Sequence, residues 1–290
     1  MSEFSPDARP ARREPVFNMP GIIVLLIIVF AAVHAWREYL IDAVTDGDVL
    51  RHFAFVPGRL TAVFDMDAIA ATLTAVSRDA NQLDIARYFL DDASAQYWTL
   101  ISYSFLHGDW VHLGVNSLWL AAFGAPVARR LGWLRFLALF VVTAIAGALA
   151  YYVFHRTDFV PMVGASASIS GIMAAAIRFV FVPGGPLGPP LYPFPLPPHL
   201  AARLPAVGLI AALSDRRVVQ FTLTWFIINF VFGLASIPLG ITAAAVAWEA
   251  HAGGFLAGFL LFSLFDPPPP DPSEFGDSLP QDDWLRRDHT

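Results

Sequence analysis

The chain has 290 residues, of which 56% are hydrophobic and 14% charged, against about 25% charged in an ordinary soluble domain. It holds no cysteine, which excludes disulfides, thiol catalysis and thiolate metal sites. The net charge of −6 leaves no basic patch for nucleic acid. The apolar surplus is gathered in long runs, as in a membrane protein. All 18 basic residues are arginine, a bias of GC-rich coding that points to a bacterial source.

About 20 apolar residues cross a bilayer, and on that rule the chain divides into six spans. Residues 1–19 form a tail. The first span is 20–36 (PGIIVLLIIVFAAVHAW). It lies too far in and runs too long for a cleaved signal peptide, and no small-x-small cleavage site follows. Residues 37–97 form a long loop with amphipathic pieces of its own, such as DAIAATLTAVSRDA. The second span covers about 110–127, after YWTLISYSFLHG, and the third about 133–154 (WLRFLALFVVTAIAGALAYYVF). The fourth, about 165–182, opens inside VGASASISG. Residues 183–217 begin with a proline-rich stretch, PGGPLGPPLYPFPLPPHLAARLP, expected to be extended. The fifth span is 218–236 and the sixth about 240–265. Residues 265–290 have the composition of a disordered tail. The predicted fold class is therefore an all-α membrane protein, a six-helix bundle over 20–264.

Arginine placement sets the orientation. Twelve of the 18 fall in the two tails and in the second-to-third and fourth-to-fifth connections. The other six are Arg156 and five in the long 37–97 loop, where charge counts little. Both termini are expected in the cytoplasm. The 37–97 loop is then extracytoplasmic, and the expected location is a bacterial inner membrane.

Polar groups inside such spans should face the bundle interior. His112 and Asn116 in HGDWVHLGVN are four apart, on one helical face. In AHAGGFLAG, His251 shares a face with Gly254 and Gly258. Two small residues four apart let another helix approach closely. The matching partner is the fourth span, with Ser166, Ser170 and Ala174. Close packing there would bring an imidazole to a serine. A serine hydroxyl becomes a useful nucleophile when a base within hydrogen-bond reach takes its proton. The developing oxyanion then needs donors, such as an amide, an imidazole or the free N–H groups of a helix start. Each feature alone has a plainer reading. The serines could serve packing, His251 could be an interior or proton-relay histidine, and Asn116 an interhelical hydrogen-bond group. A transporter would show broken helices in paired halves, and no internal repeat is visible. Glu249 lies about 200° round the helix from His251 and is expected to face a neighbouring helix or water.

These motifs, in this order, resemble the rhomboid intramembrane serine proteases. The resemblance rests on HxxxN (His112, Asn116) preceded by His107, on GxSG at Gly164-Ala165-Ser166-Ala167, and on AHxGG at Ala250–Gly254. Trp225, Phe226 and Asn229 add the WF..N of the fifth span. It implies Ser166 as nucleophile and His251 as base in a dyad without an aspartate. His112, Asn116 and the Ser166 N–H would stabilise the oxyanion, with His107, Gly164, Gly254 and Gly258 supporting. It implies no cofactor and no metal. The partners would be the lipid bilayer and membrane-anchored substrates, cut in a cavity open to the extracytoplasmic side. One residue departs from the pattern: Ala167 replaces the last motif glycine. The alternative is a catalytically silent rhomboid-like protein that binds membrane clients.

Overall fold

The structure, a computed structural model, describes residues 19–91, 94–190, 196–235 and 246–268. Nearly all of both expected tails, 1–18 and 269–290, lies outside the described residues.

Among the described residues the regular structure is helical, apart from one isolated antiparallel bridge between Phe55 and Met162. Helix α1 (Gly21–Tyr39) starts behind Pro20 and buries Ile23, Leu26, Phe30 and His34. That is a single stripe at helical spacing. Its other faces are apolar too, with Leu25 and Ile28 more than half exposed, as suits a helix set in lipid.

Among the described residues of the 37–97 segment, four helices follow α1, in keeping with its amphipathic pattern. They are α2 (Ala43–Phe53), α3 (Pro57–Phe64), α4 (Met66–Ala75) and α5 (Ala80–Leu90). Three open on aspartate caps, each accepting a backbone N–H three residues on: Asp42 from Thr45, Asp65 from Ala68 and Asp79 from Gln82. Such a cap satisfies a donor that the helix itself leaves free. The group has a small core of its own, with Val56, Ile69, Ala86, Phe89 and Phe159.

After α6 (Thr99–Ser102) and a 3₁₀ turn, Tyr103–Phe105, helix α7 (Trp110–Trp119) begins with Asp109 capping the His112 N–H. A π-helical turn, Leu120–Gly124, leads into α8 (Ala125–Phe154). Gly132, at φ 75°, kinks α8 at the boundary expected between the second and third spans. Helix α9 (Ser166–Ala176) follows, then α10 (Pro198–Ala201), α11 (Leu209–Ser214), α12 (Arg216–Ala235) and α13 (Trp248–Phe265). Among the described residues, three segments are long and apolar enough to cross a membrane: Gly21–Tyr39, Trp110–Phe154 and Trp248–Phe265.

The fourth span and the proline-rich connection depart from expectation. The apolar run at 165–182 is helical only to Ala176, because the chain is then held by Arg178. Its Nε donates to the Val207 carbonyl (2.7 Å), its backbone carbonyl accepts from Val207 N–H, and Nη1 donates to the Phe259 carbonyl (3.1 Å). The proline-rich stretch is not extended throughout. Leu187 N–H returns to the Val180 carbonyl and Gly184 N–H to that of Pro189, since glycine and proline make tight turns here. Helices α10 and α11 follow in the same connection.

Helix α9 lies between α8 and α13, with every residue from Ala167 to Ala176 buried. Glycines make this possible. A Cβ on Gly254 would strike the Ala167 carbonyl, and one on Gly258 that of Gly171. The stripe that Gly254 and Gly258 touch is thus Ala167 and Gly171, one residue along from the expected Ser166, Ser170 and Ala174.

A buried arginine ties the far end of the bundle. Arg130 forms a two-pronged ion pair with Asp266 (2.6 and 2.8 Å) and donates to the Ala202 and Leu204 carbonyls. Its guanidinium lies over the Phe179 and Phe262 rings. Replacing Arg130 by methionine strands a carboxylate and two carbonyls. It should cost about 3–5 kcal/mol, checked by the unfolding midpoint in detergent, with Asp266→Asn costing less.

Candidate active site

The approach to α9 is pinned to the rest of the protein at several points. Phe55 and Met162 exchange backbone hydrogen bonds, Gly58 N–H donates to the Asp158 carbonyl, and Gly164 N–H donates to that of Tyr103 (3.0 Å). Gly164 adopts φ 119°, which L side chains rarely do. A Cβ there would stand 2.7 Å from the His112 ring. Glycine is needed for the turn and for the close approach alike.

Ser166 is the first residue of α9, so its backbone N–H has no acceptor within the helix. From α13, His251 brings Nε2 to 2.7 Å from Ser166 Oγ. On the other side of the ring, Nδ1 lies 2.5 Å from Oδ1 of Asn229 on α12. Asn229 Nδ2 in turn donates to the Trp225 carbonyl (2.9 Å). Gly254 lies against the Ala167 carbonyl, one residue from Ser166, so the small-residue packing and the approach of His251 to Ser166 occur at the same place.

His112 and Asn116 share a face of α7 as their spacing foretold. The His112 ring sits against Gly164, and Asn116 Nδ2 is 3.7 Å from the place a Gly164 Cβ would occupy. Asn116 is buried, and its Nδ2 has no hydrogen-bond partner among the described residues. It is an unpartnered donor beside the turn that leads to Ser166. His107 does not reach the serine and histidine. Its ring packs edge-on to His112 (centroids 5.3 Å apart) and against Phe30. Its backbone carbonyl accepts from Arg37 Nη1 (2.9 Å). Arg37 also pairs with Asp46 and so joins α1, α2 and the turn before α7.

The other serines are occupied differently. Ser170 Oγ donates to the Ser166 carbonyl (2.7 Å). Ser168 is fully buried, and its Oγ has no hydrogen-bond partner among the described residues. Ser166 alone of the three is partly accessible. The methyl of Ala167, the motif departure, fills the space left by the missing side chain of Gly147 on α8. Glu249 faces the end of α8, as expected. Its Oε1 is 3.3 Å from His155 Nε2, and His155 Nδ1 is 2.7 Å from Asp158 Oδ2.

Sequence reasoning gave Asn229 no role of its own. The available signal was an amide in the middle of an apolar span, which costs free energy unless it is partnered.

Comparison with known families matches a rhomboid domain over residues 94–266. The chain belongs to the rhomboid family. The match covers α6 to α13 and leaves α1 and the helices of the 37–97 segment outside it. Among similar proteins, the RHOMBOID-like protein 4 of Arabidopsis thaliana is 26% identical over 164 residues, 57% of this chain and 33% of its own. The rhomboid protease GluP of Bacillus subtilis is 26% identical over 167 residues, 58% of this chain and 26% of its own. The rhomboid protease GlpG of Yersinia pestis (strain Pestoides F) is 23% identical over 166 residues, 57% of this chain and 47% of its own. The chain thus spans about half or less of the length of these relatives. With its long apolar helices, this rhomboid is an integral membrane protein of a family that includes proteases.

Proposed function

We propose that this rhomboid is an intramembrane serine protease that cuts membrane-anchored proteins in or near their spans, with Ser166 as nucleophile and His251 as base. The observation that carries the reading is the 2.7 Å approach of His251 Nε2 to Ser166 Oγ. In this mechanism Nε2 takes the hydroxyl proton as Oγ attacks the scissile carbonyl carbon. The tetrahedral oxyanion is met by Asn116 Nδ2, the Ser166 N–H and the His112 ring. His251 then returns the proton to the leaving amine. Water, activated by the same nitrogen, hydrolyses the acyl-enzyme.

The six spans of the proposed topology are α1, α7 with the start of α8, α8 beyond Gly132, α9, α12 and α13. Both termini lie in the cytoplasm of a bacterial cell. The eleven residues of α9 extend about 16 Å, roughly half of a 30 Å hydrocarbon core. A serine at the start of so short a helix lies below the extracytoplasmic surface, and its cavity opens to that side. A substrate helix keeps its carbonyls hydrogen-bonded. It must unwind locally to present one, so sites of weak helix propensity are the expected targets.

The test is cleavage of a single-span protein with a glycine- and alanine-rich segment by the purified full chain in liposomes. Two fragments are expected. Substrate bound but left whole would favour the client-binding alternative. Replacing Asn116 by alanine should lower turnover about 10²–10³-fold with KM little changed, as steady-state kinetics on the same substrate would reveal.

A further inference from the structure

We infer that Asn229 is the positioning residue of His251, completing a chain of hydrogen bonds Asn229–His251–Ser166 whose first member is supplied by α12. This inference rests on the protease reading of the same site.

The chain of contacts fixes every orientation in turn. Trp225 offers a carbonyl, which only accepts, so the Asn229 atom facing it at 2.9 Å is the amide nitrogen. The amide oxygen then faces His251 Nδ1 at 2.5 Å. An amide oxygen also only accepts, so Nδ1 carries the proton. In a neutral imidazole the other nitrogen is then bare, and that nitrogen, Nε2, is the one 2.7 Å from Ser166 Oγ. One backbone carbonyl on α12 thereby selects the tautomer in which His251 can act as base. Without Asn229 the ring is free to turn, or to place its proton on Nε2, where it cannot take another. Glu249, the nearest acid in sequence, is engaged with His155 and offers no substitute.

Helix α12 has other means of staying seated. Trp225 stacks on Phe255 of α13 (centroids 4.9 Å apart), Phe226 meets the same ring, and Phe230 meets Trp248. Truncating Asn229 leaves these aromatic contacts whole, so the variant should fold.

The experiment compares wild type, Ser166→Ala, Asn229→Ala and Asn229→Asp, each as the full chain in detergent. It measures fluorophosphonate labelling, substrate kinetics and the unfolding midpoint across pH. Wild type should label and Ser166→Ala should not. Asn229→Ala should keep its midpoint and KM. Its labelling and kcat should fall at least about tenfold, short of the full 10²–10⁴ of general-base catalysis. Asn229→Asp should recover much of the rate. A carboxylate at Nδ1 favours the imidazolium, so the neutral base is lost at a higher pH and the acid limb of kcat/KM should move upward. Wild-type labelling by Asn229→Ala would overturn the inference. So would an Asp variant as slow as the Ala variant with an unmoved acid limb, which would mean that Asn229 only seats α12. Failure of the wild type itself to label would instead remove the protease reading on which this rests.

Discussion

Replacing Ser166 by alanine should abolish substrate cleavage, with turnover down by at least about 10³-fold. His251→Ala should cost as much. The double variant should be no worse than either, because a nucleophile and its base act as one unit and their losses do not add. All three proteins should keep the wild-type unfolding midpoint. Ser166 is only partly buried, and its Oγ has His251 as partner, so little packing is lost. Ser170→Ala makes the contrast. It removes one hydrogen bond, to the Ser166 carbonyl, and should cost about 1 kcal/mol of stability while leaving the rate near wild type. Cleavage assays paired with thermal unfolding separate these cases. Activity lost in Ser168→Ala but kept in Ser166→Ala would contradict the assignment.

The second large effect is expected at Gly258. Any side chain there meets the Gly171 carbonyl, so α9 and α13 must separate. Overpacking of this kind costs about 1–3 kcal/mol or more, and Gly258→Val should lower the unfolding midpoint accordingly. Activity should fall with it. His251 sits two turns up the same helix, and a shift of about 1 Å in a catalytic group can cost some 10²-fold. Gly114→Ala is the control. It adds a methyl group in α7 with nothing within 4 Å. It should be neutral, or stabilise by a few tenths to about 1 kcal/mol through helix propensity. A Gly258→Val protein with wild-type midpoint and rate would show that the close approach of the two helices is dispensable.

Much of the site was legible because its parts lie four residues apart. His112 with Asn116, and Gly254 with Gly258, declare their shared faces through the helical period alone. What that period cannot give is the register between two helices. The contact stripe on α9 is therefore Ala167 and Gly171, a residue away from the serines that stood out by polarity. The apolar run from 165 to 182 concealed the end of α9, since hydropathy is the same for a buried helix and a buried turn. Arg130 and Arg178 look like ordinary cytoplasmic charges in a count of arginines. In the fold both are buried among phenylalanines and backbone carbonyls, and these contacts join segments more than 25 residues apart. Asn229 escaped for a similar reason. Its partner is 22 residues on, in another helix, and no spacing rule links them. The proline-rich stretch shows the reverse failure: its composition suggested an extended chain, but its glycines allow turns that fold it back on itself.

The proposed nucleophile activated by His251 is Ser166, and no neighbouring serine. The most direct test is to label the purified protein with a fluorophosphonate, digest it at arginine, and map the adduct by fragmentation on the peptide 157–178, which contains Ser166, Ser168 and Ser170. The adduct should sit on Ser166 and be absent from the His251→Ala protein. An adduct on Ser168 or Ser170, or labelling that survives the loss of His251, would contradict it.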